Sequence, residues 1–245
     1  MVRQKFDVSL EHRALLRQIQ EMADAEHRQG MSMAVPTRLQ MYGVRVPQLR
    51  HLAHRWQTAH PDANRQEVWA LVEALWQADS REEHMLACYL LEQHKRWIPH
   101  LTWADFERWR RGVDNWEVSD GLSQWVMGRW ILAEPASRLE HLRTLMAAED
   151  VWSRRMALVT TAWLNRGYKG FSCPDLTLEL VGQARDERHP MITKAVSWAL
   201  RGLIKLHSER VAAYLEANRG ALAPHVVREV ENKLRTGLKS GRQAD

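Results

Sequence analysis

The chain has 245 residues, 45% hydrophobic and 27% charged, enough to bury a sizeable core as one large domain or a repeat array. A mean hydropathy of −0.49 excludes a membrane-spanning helix, as does the lack of any run of about 18 apolar residues; the start, MVRQKFDVSLEHR, has no apolar secretory core. The net charge, 35 − 30 = +5, suits a polyanionic partner without requiring one, and Cys88 and Cys173 lie too far apart for a CxxC pair or a cysteine-rich metal site, so a cytoplasmic protein is expected.

Taken in order, the segments read as helices. LEHRALLRQIQEMADAEH (10–27), VWALVEALWQA (68–78) and HMLACYLLEQH (84–94) all space their apolar residues three and four apart. No stretch alternates with period two long enough to make a strand. Prolines 36, 47, 61, 99, 135, 174, 190 and 224 fall between these segments or in first turns, where a missing N–H costs nothing. The pattern predicts an all-α chain.

A repeat is also visible. Asp79, Asp114, Asp150 and Asp186 follow one another at intervals of 35, 36 and 36 residues, each just ahead of a helical run, where an N-cap is expected. SREE (80–83) and DNWE (114–117) have capping-box spacing. A period near 36 with two helices per unit predicts a HEAT-like helical-repeat solenoid, an α-α superhelix of about six helical pairs with a concave face. The expected organisation is a single repeat domain over 1–245, with its core at about 7–237 and a flexible tail at 238–245.

Twelve tryptophans are more than a core of this size needs. Aligned on the aspartates, Trp116 and Asp120 follow the second, Trp152 and Arg155 the third, and Lys194 and Trp198 lie further along the helix of the fourth. Stacked in register, these residues would share one face carrying indoles, one carboxylate and basic groups beside helix N-termini. Arginine at helix N-termini suits phosphate, and indoles suit a sugar or base. The plainer reading is that tryptophans at helical spacing are core residues and that Asp120 and Arg155 are an ordinary ion pair between repeats. The twelve histidines form no HExxH spacing and no metal site is expected; His84, His141 and His189 read as surface residues.

Four pieces carry a family resemblance. MYGVRVPQLRHLAHRW (41–56) resembles the F-x-G-V-x-x-P-x-x-R opening motif of the DNA alkylation repair family, the HEAT-like bacterial alkylpurine DNA glycosylases typified by AlkD. NWEVSDGLS (115–123) is similar to its W-x-x-x-D motif, VWSRRMAL (151–158) to W-x-x-R-x-A, and KAVSWALR (194–201) to K-A-x-x-W-x-L-R. The pieces run in order over roughly residues 30–210. One departure is MAVPTRLQ (33–40), where relatives often carry an aromatic and a lysine; it puts lesion preference or one DNA contact in question.

The resemblance implies that Asp120 is the catalytic carboxylate, that Trp116 and Trp198 flank the deoxyribose of the damaged nucleotide, and that Arg155 holds backbone phosphate. Trp152, Arg154, Lys194, Arg45 and Arg201 complete the expected DNA-binding set. Lys194 reads as a phosphate contact rather than a Schiff-base lysine. The expected partner is double-stranded DNA containing alkylated purines, bound by a monomer without cofactor or membrane and without flipping the base into a pocket. Two rival classes stay open: a DNA-binding repeat protein without activity, and a protein-binding scaffold. Binding to duplex DNA separates the second from the rest.

Overall fold

The computed structural model describes residues 6–241. Among them the chain is helical, its only β pairing being an isolated bridge between Gln40 and Ser80. No described helix is long and apolar enough to cross a membrane. The chain divides into two compact units, the first ending at Arg129 and the second beginning at Trp130.

In the first unit the helices are α1 (Val8–Glu21), α2 (Ala25–Ala34), α3 (Val46–Ala59), α4 (Arg65–Trp76), α5 (Arg81–Gln93), α6 (Trp103–Arg110) and α7 (Trp116–Gly121). A π-helical turn, Leu122–Met127, continues α7 into α8 (Gly128–Ala133). The second unit follows with α9 (Pro135–Arg138), α10 (Glu140–Met146), α11 (Val151–Leu164), α12 (Pro174–Gln183), α13 (Pro190–Asn218) and α14 (Pro224–Thr236). Prolines open α9, α12, α13 and α14 and sit in the first turn of α3, the positions where they were expected.

The repeat is written in the hydrogen bonds. Gln57 donates to the Gln93 carbonyl, Arg81 to Glu117, Trp109 to Glu73, Arg143 to Glu179 and Arg155 to the Met191 carbonyl, and each pair is 36 residues apart. Equivalent helices therefore lie side by side and run the same way: α3, α5 and α7 in the first unit, α11 and α13 in the second. Leu71, Leu75, Leu86, Leu90 and Phe106 in the first unit, and Leu158, Leu180 and Leu200 in the second, are wholly buried between these layers. Each such side chain contributes about 1.5–3 kcal/mol.

The aspartate ladder marks the repeat but is not a ladder of caps. Only Asp150 caps its helix, accepting from the Ser153 amide at 2.8 Å. Ser80 caps α5, Asn115 caps α7 and His189 caps α13, one, one and three residues past Asp79, Asp114 and Asp186. Asp114 sits just before the cap because its carboxylate is used elsewhere, holding Thr37 and the Arg38 amide. In DNWE the glutamate leaves the box as well, since Glu117 turns to Arg81. The segment 10–27 is also two helices rather than one. Asp24 accepts from the His27 amide at 2.8 Å and restarts the chain as α2.

Gly43 in the opening motif has φ 82°, and a Cβ there would lie 2.2 Å from the Asp24 carbonyl oxygen, so only glycine fits. Of the expected tail, Leu238–Gly241 folds back on α14, with Asn232 donating to the Lys239 carbonyl and Lys239 paired with Glu229 at 3.1 Å. Residues 242–245 lie outside the described residues. His84 is not a surface residue. It is 2% exposed, its ring 4.7 Å from that of Trp76 and its Nε2 bonded to the Ala78 carbonyl. His141 is half-buried against Trp130 and His189 is exposed. Cys88 and Cys173 are buried free thiols.

Candidate functional site

Trp116 and Asp120 occupy the first and fifth positions of α7, one turn apart and on one face. Asp120 is 7% exposed and Trp116 is half-buried. The indole Nε1 donates to the Ala34 carbonyl at 2.8 Å, so the edge of the ring is tied to the end of α2. After Asp120 comes Gly121, where a Cβ would lie 3.2 Å from the Trp125 ring and 3.6 Å from the Cys88 sulfur. The π-helical turn begins at the next residue, an irregularity that costs helix energy and recurs at working sites.

A buried ionic network sets the position of α7. Glu82, wholly buried, accepts from the amides of Tyr42, Gly43 and Val44, which clamps the opening-motif loop to the start of α5. Arg81, 2% exposed, donates to the Val44 carbonyl, to Glu82 at 3.2 Å and to Glu117 at 2.6 Å. Glu117 adjoins Trp116, so the loop, α5 and α7 are locked through three charges that are almost enclosed. Burying these ions would be costly without this density of partners. Sequence reading missed all three residues, although Arg81 and Glu117 are separated by 36, the repeat period itself. It also missed Arg50, whose guanidinium lies 4.3 Å over the Trp125 ring and 4.7 Å over Tyr89 while paired with Glu92.

Arg45, also in the first unit, is the N-cap residue of α3, its guanidinium 3.4 Å from Asp24 and well exposed. The His27 amide and Arg45 hold the Asp24 carboxyl below its ordinary value.

In the second unit Trp152 and Arg155 lie one turn apart at the start of α11, and Lys194 and Trp198 one turn apart on α13. These helices pack together with their N-termini adjacent, because Arg155 donates to the Met191 carbonyl at 2.7 Å. Arg155 is 4% exposed, a more enclosed position than a simple surface phosphate contact requires. Arg154 is paired with Glu187, Lys194 is exposed, and Trp152 and Trp198 are half-buried. Arg201 donates to the Ser197 hydroxyl, which donates to Glu229 at 2.6 Å, next to Trp198 on α13. Burial lowers the pKa of Arg201, and Glu229 opposes that shift. Of the twelve tryptophans, 56, 76, 109, 130 and 163 are buried core residues. The other seven, including 116, 152 and 198, are half-buried.

Residues 15–234 match the family model described as DNA alkylation repair enzyme. Among solved structures, the chain is similar to a "Predicted DNA alkylation repair enzyme" from Enterococcus faecalis, with 21% identity and a TM-score of 0.70 over 88% of this chain and 98% of that one. It is also similar to AlkD2 from Streptococcus mutans, with 15% identity and a TM-score of 0.53 over 79% of this chain and 90% of that one. A third similar structure is smu.31 from Streptococcus mutans UA159, with 16% identity and a TM-score of 0.53 over 78% and 93%. These likenesses establish the helical-repeat fold. Among curated proteins no sequence match reaches significance.

Proposed function

The chain belongs to the DNA alkylation repair enzyme family, and from that premise we propose that it is a monofunctional DNA glycosylase for cationic N3- and N7-alkylated purines in duplex DNA. The observation that carries the reading is the Trp116–Asp120 pair, an indole and an enclosed carboxylate on one face of a helix that buried ions hold in place.

An N3- or N7-alkylated purine already bears a positive charge. When the N-glycosidic bond breaks, its electron pair leaves with the base and neutralises the ring, so no general acid is needed. Positive charge builds instead on the deoxyribose, which becomes oxocarbenium-like, as in glycoside hydrolysis. The Asp120 carboxylate meets that charge and orients the water that adds at C1′, while the water's proton passes to solvent. The indole face of Trp116 attracts cationic character beside it, and Trp198 has the same role in the family pattern. Arg155, Arg154, Lys194, Arg45, Arg201 and Trp152 are the residues proposed to bind DNA. Hydrolysis of this kind needs water and no cofactor.

The test is base release from methylated duplex DNA. The protein should free 7-methylguanine and 3-methyladenine and leave uracil and hypoxanthine in place, because neutral bases leave poorly. Asp120→Asn keeps the shape and removes the charge. It should slow release by about 10²–10³-fold with duplex affinity nearly unchanged. Native-rate release by the variant, or equal release of uracil by the native protein, overturns the mechanism. Duplex binding without release points to a non-catalytic binding protein.

A further inference from the structure

The segment that departs from the family pattern lies directly against Trp116. α2 ends at Ala34, and the chain continues through Val35, Pro36, Thr37 and Arg38 past the start of α7. The Asp114 carboxylate accepts from the Thr37 hydroxyl and, at 2.6 Å, from the Arg38 amide. The same hydroxyl accepts from the Leu39 amide at 3.1 Å and from Asn115 Nδ2 at 3.4 Å, and Asn115 is the N-cap of α7. One hydroxyl therefore joins the strap, Asp114 and the helix cap. Three residues earlier the Ala34 carbonyl receives the Trp116 indole N–H.

Little slack separates the two ends of this strap. Val35 is wholly buried, and the ring of Pro36 fixes φ between it and Thr37. α2 buries none of its residues, so its packing does little to hold Ala34. An indole turns about two side-chain bonds, and the second has a broad, soft preference. The bond to Ala34 fixes that rotation for Trp116.

We infer that the 34–38 strap is a positioning device for Trp116, with the Thr37 hydroxyl setting where the Ala34 carbonyl, and through it the indole, comes to rest. In this chain a hydroxyl and a carbonyl make the two contacts that tie the strap to α7 and the ring. The effect on the ring stands on geometry alone, whereas the effect on rate rests on the proposed glycosylase activity.

Both effects are measurable on the full chain labelled with 5-fluorotryptophan, the Trp116 ¹⁹F resonance being assigned with Trp116→Phe. Thr37→Val keeps the size and removes the hydroxyl. It should shift or broaden the Trp116 resonance and spare those of the buried indoles. Single-turnover release of 7-methylguanine should slow by about 10- to 100-fold, the scale of a displaced group near the chemistry. Duplex affinity should stay within about twofold, since the loss falls on the transition state. Thr37→Ser should restore both resonance and rate. Asp114→Asn, which removes the charged acceptor, should move the same resonance and serves if the valine variant folds poorly. An unmoved resonance, a slowed rate with an unmoved resonance, or a serine variant that restores neither overturns the inference. If the native protein releases no base, the glycosylase reading fails and the resonance alone decides.

Discussion

Arg155 shows how one side chain can have two duties. Its Nη1 donates to the Met191 carbonyl across the α11–α13 contact, and it is almost enclosed. A hydrogen bond to a charged group contributes about 1.5–3 kcal/mol. Arg155→Ala should therefore lower the thermal midpoint by several degrees, at roughly 2–4 °C per kcal/mol for a chain of this size. If the residue also holds phosphate, as proposed, the slope of log K against log salt falls in magnitude by about 0.9. A melt and a salt titration on the same variant read the two duties separately. A lower midpoint with an unchanged slope leaves Arg155 with the structural duty alone. The W-x-x-R spacing made Arg155 visible in the sequence. Its enclosure was not, because the carbonyl it meets is 36 residues away.

The elements around α7 depend on buried charge. Glu117→Gln leaves Arg81 with one carboxylate, Glu82, in an almost enclosed place. Removing one partner of a buried pair costs about 3–5 kcal/mol, and the surviving bond to Glu82 puts this case near 3. Urea unfolding should show that loss as a lower midpoint at unchanged slope. An equal loss from Asp105→Asn in the half-buried first turn of α6 would remove the special standing of the network, since Asp105 only accepts from the amide and hydroxyl of the N-cap Thr102 and pairs with Arg108. The sequence reading assigned SREE and DNWE to capping boxes by their spacing. Spacing identifies which side chains can reach an amide; it cannot show that a buried arginine on a neighbouring helix competes for the same glutamate. In SREE the helix start falls at Ser80 as the spacing implies, with Glu83 accepting from the Ser80 hydroxyl; in DNWE the cap is Asn115, one residue later, and the glutamate goes to Arg81.

For the molecule as a whole, acid should act in two stages. His84 and His94 are buried, and loss of hydration lowers both pKa values below 6.5; carbonyls of Ala78 and Trp76 oppose the shift at His84, and that of Leu90 opposes it at His94. The folded state thus refuses protons that the unfolded chain takes, so their contribution is complete above pH 6.5 and shrinks as pH falls through that value. Asp114 behaves as a carboxylate with a lowered pKa. Burial alone would raise it, but the bonds from Thr37, Arg38 and Asn115 prevail, so its contribution is complete above 3.8 and is lost below. Stability measured against pH should fall first below about 6.5, by at most about 1.4 kcal/mol per pH unit per histidine, and again below about 4. His84→Gln should flatten the first stage. A first stage of unchanged slope in that variant would show that His84 titrates freely.

The all-helical class, the 36-residue repeat and the Trp116–Asp120 pair were present in the sequence, because each rests on periodicity or on neighbours within a few turns. Local chemistry acts over that range, so local pattern reveals it. The tertiary structure decided what depends on meeting a distant partner: that α2 is a separate helix, that His84 is core, that Asp114 grips Thr37 rather than capping α7, and that Arg81 and Glu117 find each other. A carboxylate in a sequence has many possible donors, and only the packing of repeats brings one of them within hydrogen-bond reach while excluding water from the rest.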